Sequence, residues 1–124
     1  MEERWKVYEY LDVDGKSPLR RWLDSREVSK IDRARVSAKI ENIKTISDDL
    51  PPKWFDRYKS TYALSELRVT GERRKMLRPL GLRTDKRKIL FFTGAIEKGN
   101  KLDTGEAERL WRDWKDGKGS ESEL

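Results

Sequence analysis

Four consecutive apolar residues, Ile89-Leu90-Phe91-Phe92, stand out in a chain of 124 residues of which 42% are charged. Neighbouring side chains of a strand point to opposite faces, so an unbroken apolar run of this length reads as a central strand that is apolar on both sides. The rest of the chain is so polar that disorder has to be weighed against folding. Five Trp, four Tyr and three Phe, spread from Trp5 to Trp114, favour folding, because such residues carry much of a small core. The length suits one domain. A folded domain is expected over residues 1–116, followed by a disordered tail, Gly117–Leu124.

The absences are as informative. The chain has neither Cys nor His. Disulfides, thiolate nucleophiles, thiolate metal sites and imidazole acid–base chemistry are therefore excluded. Any catalysis rests on Lys, Arg, Tyr, Ser, Thr or carboxylates. No cofactor is expected, and a metal site is left open only to carboxylates. No apolar run approaches the roughly 18 residues that a spanning helix needs. The opening Met-Glu-Glu-Arg-Trp offers no apolar signal region, so a cytoplasmic protein without a membrane partner is expected.

The pattern orders the elements. Trp5–Leu11 reads as a short strand with Trp5, Val7 and Leu11 on one face. Ser17-Pro18 starts a short helix, with a Ser cap and Pro in the first turn, and Leu19, Trp22 and Leu23 form its apolar face. A longer helix is expected from about Val28 to Ser47. Val36, Ile40, Ile43, Ile46 and Leu50 form its inward stripe, and Ala34 and Ala38 would let a neighbouring helix approach. Pro51-Pro52 ends it. Trp54–Tyr62 reads as a long loop. Three strands follow, Leu64–Thr70, Arg74–Leu82 and Arg87–Thr93, joined by short turns into an antiparallel meander, with Pro79 at a bulge or edge. A last helix starts near Asp103-Thr104, with Asp103 and Glu106 spaced as a capping box and Ala107, Leu110, Trp111 and Trp114 as its stripe. The fold class is α+β: an antiparallel sheet, made of the N-terminal strand and the meander, with two helices on one face and a C-terminal helix. The opposite sheet face is expected to be open and basic.

The formal net charge is +6, but it is not evenly spread. Residues 1–56 hold 12 basic and 12 acidic side chains, residues 57–101 hold 13 and 4, and residues 102–124 hold 4 and 7. The excess of nine positive charges in one segment is the electrostatic footprint expected of a polyanion binder, although a merely solubilising surface would also be basic.

This order of elements resembles the RelE/ParE toxin superfamily of toxin–antitoxin modules, and most closely its phage-associated HigB-like branch. Pro51-Pro52-Lys53-Trp54-Phe55 leading to Leu64-Ser65-Glu66-Leu67-Arg68 resembles that branch's proline-aromatic loop and Glu-Leu-Arg strand. Lys75-Met76-Leu77-Arg78 resembles the next strand, Ile89–Gly94 the apolar fourth strand, and Glu97-Lys98-Gly99-Asn100-Lys101 with Glu106 the lysine-rich loop and the start of the final helix. The likeness covers roughly residues 5–115. It departs where the family's paired lysines are Glu97-Lys98, where Asp103 replaces a common Pro, and where the family's Tyr-Arg is Arg74-Lys75 or is offset to Arg78.

The resemblance implies a toxin that cuts mRNA in the ribosomal A site, by attack of the ribose 2′-OH on the adjacent phosphate and without a metal. Such a reaction needs activation of the 2′-OH, stabilisation of the transition-state charge and protonation of the leaving 5′-oxygen. Arginine suits the second task, because its fork donates two hydrogen bonds to phosphoryl oxygens. A lysine with a depressed pKa suits the proton transfers. Arg68 is the first candidate for the scissile phosphate, with a surface ion pair to Glu66 as the plainer alternative. Arg78, Lys98 and Lys75 complete the catalytic candidates, each weighed against a solvated surface charge. Arg57, Lys59, Arg73, Arg74 and Lys101 are candidates for holding RNA phosphates, and Tyr62, like Tyr58, for stacking on a base. Tyr62 is a proton donor as well on this reading, and both tyrosines suit the core equally.

The implied partners are a cognate antitoxin, mRNA and the ribosome, with a homo-oligomer in the antitoxin complex left open. Two alternatives stand beside this. ParE-type relatives on the same fold inhibit DNA gyrase, and a non-catalytic RNA-binding domain would carry the same basic segment.

Overall fold

The structure, a computed structural model, describes residues 4–51, 53–57 and 63–124. Ile89, Leu90, Phe91 and Phe92 are all fully buried, in a ten-residue strand, Lys88–Glu97. The strands, numbered in chain order, are β1 (Lys6–Leu11), β2 (Phe55–Arg57), β3 (Ser65–Leu67), β4 (Val69–Thr70), β5 (Met76–Asp85), β6 (Lys88–Glu97) and β7 (Ser120–Glu123). The helices are α1 (Pro18–Leu23), α2 (Lys30–Ile43) and α3 (Gly105–Lys115). They build one sheet in the order β2-β3-β5-β6-β1-β7, with β4 also on β5. The architecture is α+β, as the pattern predicts. No helix among the described residues is long and apolar enough to cross a membrane.

The apolar run of β6 sorts into two cores by alternation. Ile89 and Phe91 join Trp5, Val7, Leu67 and Leu77 beneath α1 and α2, whose Leu19, Trp22, Val36, Ile40 and Ile43 are buried there. Leu90 and Phe92 join Tyr10, Leu64 and Leu80 beneath α3, which adds Ala107 and Leu110. The second sheet face is therefore covered by α3 rather than open and basic. The stripe of α3 needs an apolar partner, and Leu90 and Phe92 supply one.

Local chemistry explains the helix starts. Ser17 accepts from the Arg20 backbone N–H at 3.1 Å, and Pro18 opens α1. Ser29 does the same for α2 through the Asp32 N–H at 3.0 Å. That helix is shorter at both ends than its stripe suggested, and Ala34 and Ala38 are solvent-exposed with no helix against them. The capping box expected at α3 does not form. Thr104 takes the cap position, Asp103 accepts from the Gly105 N–H at 3.0 Å, and Glu106 turns to Arg109.

Four further departures have physical reasons. First, β1 lies parallel to β6, Lys6 beside Lys88 and Glu9 beside Phe91, so the sheet is mixed. Two helices and the rest of the sheet intervene between these strands, which allows a parallel crossover. Glu9 sits between Val7 and Leu11 on that strand and is buried, because the Arg20 guanidinium bonds it at 2.8 Å. Second, part of the expected loop 54–62 is strand β2, paired with β3. Its Phe55 is buried edge-on to Phe91 with centroids 5.8 Å apart. Third, the expected strand 64–70 is broken into β3 and β4 at Arg68, whose N–H donates to the Trp54 carbonyl at 2.8 Å. The break lies beside Pro79, which brings no N–H to the ladder although it sits inside β5.

Fourth, the tail is ordered. Ser120–Glu123 pairs antiparallel with β1 as an edge strand. Gly119, at φ 77°, turns the chain onto β1, and a Cβ there would lie 2.3 Å from the Leu11 carbonyl oxygen. The Tyr10 hydroxyl donates to the Lys118 carbonyl, and Lys88 and Trp114 both bond Glu121. The folded part thus runs beyond residue 116.

Candidate functional site

Alternation along β3 places Leu67 in the α1/α2 core and Glu66 on the opposite face, and Arg68 follows on the side of Glu66. Arg78 of β5 and Glu97 of β6 come to the same place. Glu66 Oε1 accepts from Arg68 Nε at 3.0 Å and lies 4.0 Å from Arg78 Nε. Arg78 Nε donates to Glu97 Oε1 at 3.1 Å, and its Nη1 donates to the carbonyls of Leu77 and Val69 at 3.1 and 3.4 Å. The result is an alternating row of two carboxylates and two guanidiniums at the end of the sheet.

Exposure separates the two arginines. The Arg78 side chain is 10% exposed and the Arg68 side chain 40%. Arg78 is fixed inside by one carboxylate and two carbonyls, whereas Arg68 bonds Glu66 through Nε and keeps two fifths of its side chain exposed. Glu66 is buried, and its Oε2 has no hydrogen-bond partner among the described residues. A buried carboxylate oxygen without a partner is uncommon, because desolvation without compensation is costly. Arg68 thus holds a negative group that a phosphate would compete with.

The other candidates fall into different places. Lys98 and Lys101 flank the turn at Gly99-Asn100 and bond each other's backbones at 2.9 and 3.1 Å. Both are exposed, and Lys98 directly follows Glu97. Lys75 does not join the row: its Nζ reaches the Glu27 carbonyl at 3.4 Å, beside the α1–α2 connection. Arg73 and Arg74 are exposed in a short 3-10 turn with φ of 53° and 62°, a left-handed conformation unusual for side-chain-bearing residues. Arg57 lies on β2, and Tyr58, Lys59 and Tyr62 lie outside the described residues. Among the described residues the lysine held below its ordinary pKa is Lys39 of α2, by burial first and then by neighbouring Lys53. It sits 3.8 Å over the Trp54 ring, on the helical side of the sheet.

Three acidic residues at or near the candidates were not candidates themselves. Glu66 and Glu97 complete the row. Asp32 is fully buried at the start of α2, where its Oδ1 accepts from the Glu72 N–H at 2.7 Å and Ser29 donates to the Glu72 carboxylate at 2.8 Å. Gly71 lets Asp32 approach, since a Cβ there would lie 2.5 Å from its Oδ1. Together these groups hold the turn that presents Arg73 and Arg74. The spacing Ser29-x-x-Asp32, a cap followed by a carboxylate, is the one signal in the sequence that marks this clamp.

No family model, no curated protein and no solved structure matches the chain.

Proposed function

We propose that the chain is an endoribonuclease of a toxin–antitoxin pair that cuts mRNA on the ribosome by attack of the ribose 2′-OH. The observation that carries this reading is the half-exposed Arg68 guanidinium held over the buried Glu66 carboxylate. A phosphate displaces Glu66 from Arg68, because the fork binds two phosphoryl oxygens as readily as it binds a carboxylate. Glu66 is then free to accept the 2′-OH proton. The 2′-oxygen bonds to phosphorus, the bond from phosphorus to the 5′-oxygen breaks, and a 2′,3′-cyclic phosphate and a 5′-OH result. Lys98, exposed at the end of β6, protonates the leaving oxygen. Arg78 positions Glu66 from inside and does not touch the substrate. The exposed Arg73, Arg74 and Lys101 add phosphate contacts without sequence readout. A cognate antitoxin covers this basic end, and that complex weakens as salt rises.

A non-catalytic RNA-binding domain is the second reading. It is favoured by the pairing of both arginines with carboxylates in the free protein. Arg68→Ala separates the two in a ribosome-programmed mRNA assay. A nuclease loses cutting by about a hundredfold or more, the scale of a lost transition-state donor. Cutting by the variant at the wild-type rate refutes the assignment, and wild-type protein that binds mRNA without cutting it makes the chain a binder.

A further inference from the structure

The hairpin turn between β5 and β6 lies at the other end of the sheet from Arg68. Arg68 lies level with Arg78, between the register pairs Glu66–Leu80 and Val69–Leu77, so seven residue steps along β5 at 3.3 Å put it roughly 23 Å from Asp85 at the turn. At the hairpin end Arg4, Lys6, Lys86, Arg87 and Lys88 line a cavity of about 280 Å³, with Tyr8 as its aromatic wall and Asp85 as its one acidic lining residue among those described. The Asp85 carboxylate is already engaged by the Lys86 N–H at 2.7 Å.

The charge arrangement here works against stability. Lys6 and Lys88 are direct register partners of the parallel β1–β6 pair, and like charges set opposite each other destabilise a sheet. Of the two, only Lys88 is answered by a carboxylate among the described residues, Glu121 at 2.6 Å, while its ammonium also sits 4.3 Å over the Tyr8 ring. The Arg87 guanidinium is held by the carbonyls of Ser47 and Asp48, which fix its position and leave its charge uncompensated. Arg4, Lys6 and Lys86 pair with no carboxylate among the described residues. Five cations line one concavity beside an aromatic ring; Lys88 and Arg87 also tie down neighbouring segments, whereas the side chains of Arg4, Lys6 and Lys86 have no such structural partner among the described residues. They match what single-stranded nucleic acid requires, a cationic track for phosphates beside a ring for a base.

We propose that this hairpin end is a second site, separate from the Arg68 row, which binds the phosphodiester backbone of single-stranded RNA whether or not the chain cuts it. The test uses the full chain and a short fluorescein-labelled oligouridine with 2′-O-methyl riboses, which offers no 2′-OH to a cleavage reaction. Loss of binding is thereby read separately from loss of cutting. Binding is followed by fluorescence anisotropy across a salt series. Lys6→Ala with Lys86→Ala, both exposed residues, weakens binding on the order of tenfold and flattens the slope of log affinity against log salt by about 1.4, two phosphate contacts at about 0.7 each. Lys16→Ala with Lys30→Ala, which removes the same charge elsewhere, leaves the affinity and slope near wild type. Lys86→Glu in the exposed turn repeats the test should the double variant fail to fold. The proposal is overturned if the hairpin variants bind like the control pair. It is also overturned if the wild-type chain captures polyglutamate at a salt concentration where it releases the RNA, which would mark an acidic protein as the ligand.

Discussion

Replacing Arg78 by alanine removes the one cation among the described residues that answers Glu97, and one that stands 4.0 Å from Glu66. Two carboxylates with side chains 7% and 19% exposed are left with Arg68 alone, and Arg68 reaches only Glu66. Breaking a buried ion pair by removing one partner costs about 3–5 kcal/mol, because the other charge stays desolvated. The partial exposure of Glu97 places the expected loss at the lower end, about 3 kcal/mol. At this chain length 1 kcal/mol moves the melting temperature by about 4 °C, so Arg78→Ala melts about 12 °C below wild type. Adding Glu97→Gln discharges the orphan and returns about half of the loss, which makes the two changes non-additive. Urea unfolding of the wild type, both single variants and the double variant, followed by tryptophan fluorescence, gives all four corners of that cycle. A loss below about 1 kcal/mol, the worth of an exposed pair, would show that Arg78 is a surface charge. Strict additivity would show that it does not act through Glu97. Either result removes the interior positioning role given to Arg78.

Two further outcomes follow from the C-terminal strand. Deleting residues 118–124 strips the β1 edge, the Lys118 carbonyl from Tyr10, and Glu121 from Lys88 and Trp114. The expected cost is about 2 kcal/mol, some 8 °C in a thermal melt, and a truncated chain that melts with the wild type would mean the segment is a dispensable tail. Burial alone would raise the Glu121 carboxyl, but hydrogen bonds from Lys88 and Trp114 hold it below its ordinary 4.5. A carboxyl lowered in the folded state stabilises above its unfolded pKa, and that stability is lost as the pH falls through the folded one. The stability gap between wild type and Glu121→Gln should therefore be full at neutral pH and close below about pH 4.5; a gap unchanged down to pH 3 would refute the ion pair with Lys88.

What the sequence disclosed follows the range of the interactions. Ser17-Pro18 marks α1 because a cap acts within one turn. The alternation of Glu66, Leu67 and Arg68 places Arg68 on the correct side of the sheet for the same local reason. Ile89–Phe92 announces a strand covered on both faces, which conflicts with an open second face; the run is the better guide, because burying Leu90 and Phe92 requires α3. Long-range features stay silent. β2 exists because Phe55 meets Phe91, 36 residues away, and three residues carry too little pattern to announce a strand. β7 reads as a tail because Ser-Glu-Ser-Glu has no apolar alternation; its partners, Tyr10, Lys88 and Trp114, lie elsewhere in the chain. The Glu97 role depends on β5–β6 register, which no local spacing fixes.

The position of α3 also decides where the positive charge of residues 57–101 can act. With both faces of β6 covered, cations of the β5–β6 hairpin reach solvent mainly beyond the covered stretch, toward its two ends. At one end stand Arg68, Lys98 and Lys101, and at the other Lys86, Arg87 and Lys88. The central strand that gives the fold its core thus divides one basic segment into two patches more than about 20 Å apart. A compact anion can engage one such patch, whereas an extended polyanion can engage both. The two cases differ in additivity: substitutions this far apart act independently on a long strand, so the losses from Arg68→Ala and from Lys6→Ala with Lys86→Ala should sum in free energy. A short ligand that spans one patch would feel only one of them.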